Sequence, residues 1–170
     1  HHLGNHPYGY TAFYYDLTPY LKPNGENILA VHVRNEGKNS RWYSGSGIYR
    51  HVWLTITSPL HIVEPWGVYI TTPKGSETAA TRNMTTNTTL FQSQADVYMY
   101  LQTNILDEKN NIVATSTTNF SIPKLQNFDT ISQIISLSHP HLWSPDSPYL
   151  YHAVVEIKNG DDIVDHVITT

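Results

Sequence analysis

Apolar and polar residues alternate along most of this chain. Phe13, Tyr15 and Leu17 alternate with Tyr14 and Asp16. Leu29, Val31 and Val33 alternate with Ala30, His32 and Arg34, and Val52, Leu54 and Ile56 with Trp53 and Thr55. Successive side chains of a strand point to opposite faces, so a period of two predicts half-buried β-strands. The cluster Lys22-Pro23-Asn24-Gly25-Glu26-Asn27 between the first two segments has turn chemistry.

A break falls at Ser58-Pro59, since proline is disfavoured in a central strand. A fresh series follows. Val68 and Ile70 flank Tyr69, and Val97, Met99 and Leu101 alternate with Tyr98, Tyr100 and Gln102. Ile105 to Ala114 reads as strand, turn at Asn110-Asn111, strand. Tyr151, Ala153, Val155 and Ile157 alternate with His152, Val154 and Glu156. Asn159-Gly160 is the strongest hairpin signal, with Ile163 to Ile168 as its return strand. No segment keeps a helical period for three turns, and the β-branched residues of Ile131 to Leu137 favour strand. The almost wholly polar Thr78 to Thr89 reads as an edge strand or loop.

The fold class is therefore all-β. Roughly seven strands over the last ~110 residues are the pattern of an immunoglobulin-like β-sandwich, here without its Cys–Trp–Cys hallmark. Residues 1–59 supply three or four strands, too little apolar surface for an independent sheet domain. They are expected to be the tail of a larger sandwich.

Composition narrows the function classes. Charged residues are 14% of the 170, against about 25% in an average globular chain. Twelve Tyr and four Trp suit strands. A net charge of −4 argues against a nucleic-acid partner, which calls for a basic field. No apolar run is long enough for a membrane-spanning helix. With no cysteine there is no disulfide framework, thiolate metal site or cysteine nucleophile.

The acidic residues are scattered. Asp107-Glu108 and Asp161-Asp162 sit beside turn signals, and neighbours on a strand face opposite ways, so neither pair reads as a catalytic dyad. The histidines, His139-Pro-His141 being the closest pair, offer no convergent fourfold set for zinc. No metal site and no cofactor are expected. Asn83-Met84-Thr85, Asn87-Thr88-Thr89 and Asn119-Phe120-Ser121 match the glycosylation sequon and read as exposed strand residues. Arg41 and Trp42 lie on a polar loop; a Trp face stacks on a sugar ring, and Arg donates several fixed hydrogen bonds. Trp143 with Pro145 and Pro148 reads as a rigid aromatic corner.

Four stretches occur in an order and spacing that go beyond pattern: Gly9-Tyr10-Thr11-Ala12-Phe13, Asn24-Gly25-Glu26-Asn27-Ile28-Leu29-Ala30-Val31, Ser40-Arg41-Trp42-Tyr43-Ser44-Gly45-Ser46-Gly47-Ile48-Tyr49-Arg50, and Leu142-Trp143-Ser144-Pro145-Asp146-Ser147-Pro148-Tyr149-Leu150-Tyr151. Together they resemble glycoside hydrolase family 2, the β-galactosidase, β-glucuronidase and β-mannosidase family. The resemblance implies a jelly-roll sugar-binding domain, an immunoglobulin-like sandwich and a catalytic TIM barrel. Residues 1–59 would be the C-terminal part of the jelly roll and 60–170 the immunoglobulin-like domain, with the chain stopping just before the barrel.

Retaining glycosidases need two carboxylic acids about 5–5.5 Å apart. In this family both belong to the barrel, so the resemblance implies no catalytic residue and no hydrolysis here. The partners implied are that missing barrel and, through the parent, a carbohydrate substrate, with β-galactosides favoured. The loop of Arg41 and Trp42 would lie near the barrel mouth. The β-galactosidase pattern has an acidic residue a few positions before the Trp; here Gly37-Lys38-Asn39-Ser40 stand there. Asn39, Arg41 and Trp42 are thus the candidate substrate contacts. Family metals bind mainly through barrel residues. Self-association through unpaired strand edges is expected, and the family favours a periplasmic or secreted bacterial location. The alternatives are a free-standing carbohydrate-binding or adhesive β-sandwich and a purely structural linker.

Overall fold

The computed structural model describes residues 1–37, 45–74, 81–92, 97–123 and 128–170. The chain divides into two units, His1–Trp53 and Leu54–Thr170.

In the first unit a 3-10 turn, Thr18–Tyr20, has Pro19 in its first turn. Asn27 organises the preceding turn cluster: its Oδ1 accepts from the Lys22 backbone N–H at 2.9 Å and its Nδ2 donates to the Lys22 carbonyl at 3.1 Å. The strands expected at Phe13–Leu17, Leu29–Val33 and Val52–Ile56 are not found. Those segments lack a ladder partner among the described residues. Phe13, Leu29, Val31, Val33, Val52, Leu54 and Ile56 are exposed rather than half-buried. A period of two marks which face of a segment is apolar; a strand also requires a second chain segment to take its backbone hydrogen bonds.

Among the described residues the second unit is a β-sandwich of eight strands: β1 Leu60–Ile62, β2 Val68–Lys74, β3 Thr81–Gln92, β4 Val97–Leu106, β5 Ile112–Ile122, β6 Phe128–Ser138, β7 His152–Asn159 and β8 Asp162–Thr169. One antiparallel sheet centres on β3, which pairs with β6 from Thr81↔Ser138 to Phe91↔Phe128. Its other edge takes β1 and then β2. Between these two the chain leaves the ladder at Val63–Gly67, where Val63 N–H donates to Thr89 O at 2.9 Å and Thr89 N–H to Gly67 O at 2.7 Å. Gly67 is required there, because a Cβ would lie 2.1 Å from the Val63 carbonyl oxygen. The second sheet has the order β5-β4-β7-β8, all antiparallel.

The Asn159-Gly160 hairpin forms as expected, with Gly160 at φ +63°. The β4–β5 turn also matches, with Asn110 at φ 62° and Asp107 accepting from the backbone N–H groups of Lys109 and Asn111, each at 2.8 Å. The reading of Thr78 to Thr89 as an edge or loop is corrected for its described part. Thr81–Gln92 is the central strand of its sheet, flanked on both edges. Threonine is β-branched and favours strands whatever its polarity, so the tertiary setting decided the position.

The two sheets close on two apolar clusters. Leu60, Ile62, Leu90, Leu101, Ile122, Ile131, Val155 and Ile157 form the larger, and Met84, Ile105, Ile135, Leu137 and Ala153 the smaller. A polar waist separates them along the strands, made of buried Thr86 and Thr88 on β3, Thr103 on β4 and Gln133 on β6. Gln133 Oε1 accepts from Thr103 Oγ1 at 2.6 Å; its Nε2 donates to Leu101 O at 3.1 Å and Thr118 Oγ1 at 3.2 Å. Its buried amide is thus well satisfied by the facing sheet. The Oγ1 atoms of Thr86 and Thr88 are buried with no hydrogen-bond partner among the described residues. At the side of the sandwich, Asp165 Oδ2 on edge strand β8 accepts from Ile62 N–H on edge strand β1 at 2.8 Å, joining residues 103 apart in sequence.

Candidate functional site

Asn39, Arg41 and Trp42, the candidate substrate contacts, lie outside the described residues. The described flanks show how their loop is based. Asn35 Nδ2 donates to Gly45 O at 3.3 Å, tying the two ends together. Arg34 donates two bonds of 2.8 Å to Glu36, one to each carboxylate oxygen. That fork holds Glu36 below the usual carboxylate range and raises Arg34 further. Gly37, at φ 91°, adopts a backbone that side chains disfavour. On the return side the Arg50 guanidinium sits 5.6 Å from the Tyr49 ring centroid, and the Tyr49 hydroxyl donates to Gly9 O at 3.0 Å.

The second exposed feature is the β6–β7 connection. Ser144 and Ser147 exchange two backbone hydrogen bonds of 3.0 Å, and Ser144 Oγ accepts from Ser147 N–H. His141 stacks on Tyr149 at 4.7 Å, and Tyr149 packs against Tyr151 at 5.0 Å. The Tyr151 hydroxyl accepts from His141 N–H at 2.9 Å. This corner leaves Trp143 60% exposed, with its sequence neighbour Leu142 and, at the far end of the corner, Leu150 also exposed.

Many of the acids already have structural partners. Asp16 accepts from Thr18, whose hydrogen bonds, the side chain's foremost, hold its carboxyl below the ordinary range. Hydrogen bonds from the Asn111 side chain and then its backbone lower Asp107 in the same way. Glu156 lies 3.3 Å from Lys158 Nζ, Asp129 accepts from Thr130 N–H, and Asp165 holds β1. Among the described residues, no group of three or more His, Asp or Glu side chains converges as a metal site would require.

Sequence reasoning passed over Asp165 as a latch. The signal was there: Asp165 and Val167 fall on the same face of β8, and an inward-pointing charge on an edge strand needs a partner.

Comparison with known proteins places this architecture. The model of the glycosyl hydrolases family 2 matches residues 61–170. A β-galactosidase of Bacteroides ovatus, BoGH2A, is 39% identical over 168 residues, covering 98% of this chain and 19% of its own. A β-glucuronidase of Formosa agariphila is 32% identical, with 96% of this chain and 19% of its own covered. The crystal structure of a glycosyl hydrolase family 2 member from Bacteroides cellulosilyticus superposes with a TM-score of 0.87 at 38% identity, over 99% of this chain and 23% of that one. The chain therefore spans about a fifth of the length of these relatives. The family match covers well over half of the chain, and the chain belongs to the glycosyl hydrolases of family 2.

Proposed function

We propose that this chain is a non-catalytic region of a family 2 glycosidase that releases terminal β-galactosyl residues. Residues 1–59 are the C-terminal part of a jelly-roll sugar-binding domain and 60–170 an immunoglobulin-like sandwich. Together they support a TIM barrel and shape its substrate cleft, where Asn39, Arg41 and Trp42 touch the sugar. The observation that carries the activity is the 39% identity with a β-galactosidase over nearly the whole chain, against 32% with a β-glucuronidase. The absence of catalysis in this region is supported by its acids, many of which are engaged in caps, turns and strand ties. The immunoglobulin-like label is supported by the strand order, β1/β2-β3-β6 facing β5-β4-β7-β8. The exposed Trp143 corner is the docking surface for a neighbouring domain.

Purified 170-residue chain is expected to leave nitrophenyl β-galactoside and β-glucuronide intact. The longer protein is expected to cleave the galactoside in preference, and Arg41→Ala or Trp42→Ala in it to raise KM. Turnover by the 170-residue chain, with contaminating enzyme excluded, would overturn the reading. So would a preference of the longer protein for the glucuronide.

A further inference from the structure

A concavity of about 270 Å³ opens where β7 turns into β8, lined by Tyr98, Tyr100, Asn119, Phe120, Lys158 and Asn159 among others. The register creates it. The pairing of β7 with β4 ends at Lys158↔Tyr100, whereas β5 continues beside β4 as far as Val97↔Ile122. The sheet narrows at that step, leaving Tyr98 and Met99 beyond the hairpin tip.

Two of the lining side chains are tied down. The Tyr100 hydroxyl donates to Gly160 O, which ties the hairpin tip to β4. Lys158 Nζ donates to Gln102 Oε1 at 2.8 Å and lies 3.3 Å from Glu156 Oε2, so its charge is already balanced. Tyr98, by contrast, is 80% exposed. Its hydroxyl and the side-chain amides of Asn119 and Asn159 have no hydrogen-bond partner among the described residues.

We propose that this hollow binds one neutral pyranose unit of a glycan, an inference that rests on the reading of the parent as a glycosidase. An exposed aromatic face accepts the C–H face of a sugar ring, and a carboxamide both donates and accepts, as a sugar hydroxyl does. The balanced Lys158–Glu156 pair leaves no surplus positive charge to select a uronate. The hollow is shallow and open to solvent, so a sugar ring would lie against its floor rather than be enclosed. A peptide added to the open edge of β4 would find only Val97, Tyr98 and Met99 beyond the last β7 pair, too short a row to pair with.

Saturation-transfer NMR on the 170-residue chain tests this with methyl β-D-galactopyranoside, methyl β-D-glucopyranoside and sodium glucuronate. The neutral glycosides are expected to receive saturation on their ring protons with millimolar dissociation constants, and glucuronate to bind no tighter. Tyr98→Ala is expected to weaken binding about tenfold, and Tyr98→Phe to retain it within about twofold, because the ring rather than the hydroxyl supplies the platform. Asn119→Ala is exposed on its strand, keeps the fold and is expected to weaken binding several-fold. No transfer to either neutral glycoside, undiminished transfer in Tyr98→Ala, or a preference for glucuronate would overturn the proposal. The chromogenic assay does not depend on Tyr98, so either result is readable when the other fails.

Discussion

Two substitutions of the same chemistry, placed on facing strands of one core, are expected to act with opposite signs. Thr86 and Thr103 are both fully buried threonines. The Thr103 hydroxyl donates to Gln133 at 2.6 Å, whereas the Thr86 hydroxyl has no partner among the described residues. Valine replaces a hydroxyl by a methyl of similar shape. At Thr86 the exchange removes an unpaired buried polar group, and it should stabilise by ~1–2 kcal/mol. At Thr103 it strands the Gln133 carbonyl oxygen in the core, at a cost of ~1–2 kcal/mol. Urea unfolding followed by far-UV circular dichroism reads the second unit, since every named strand lies in it. With a slope of about 1–3 kcal/mol per molar urea, the midpoints should move by roughly 0.3–2 M, upward for Thr86→Val and downward for Thr103→Val. Equal shifts in one direction would show that hydrogen bonding in the waist does not decide its energetics.

Asp165→Ala should cost ~1.5–3 kcal/mol, the worth of a hydrogen bond to a charged acceptor, and hydrogen exchange at Ile62 N–H should speed up; an unchanged Ile62 rate counts against the latch. Asp107 has a folded-state pKa below its ordinary value, so its contribution is present above the unfolded pKa near 4 and is lost as pH falls through the depressed one. Asp107→Asn should therefore flatten the acid side of the stability profile, and a profile that overlays the parent's in acid titration would contradict this. The exposed apolar residues of the first unit, from Phe13 to Trp53, should drive concentration-dependent self-association. A monomeric mass by light scattering across the accessible concentration range would argue otherwise.

The parts of the fold legible in the sequence are those set by short-range chemistry. Asn159-Gly160 fixes the β7–β8 hairpin through the positive φ of Gly160, and Asp107 to Asn111 fixes the β4–β5 turn. Illegible were features that need a distant partner. The Thr-rich stretch of β3 reads as a surface segment because its hydroxyls carry no sign of which will be buried. The tie from Asp165 to Ile62 spans 103 residues. The alternation at Leu29–Val33 names an apolar face but not what covers it, and within this chain Leu29, Val31 and Val33 remain exposed. The loop of Asn39, Arg41 and Trp42 stands on motif alone.

An interior built only of aliphatic side chains would let two facing layers slip by one pleat at little cost, since each shifted residue would again meet hydrocarbon. Gln133 forbids that slip. Its three bonds reach β4 and β5 at one offset only, and any other offset leaves an amide stranded in oil. The polar girdle thus works as a vernier mark, setting how far one layer lies along the other. Whatever is mounted on the loops at either end of the layers inherits its position from that mark.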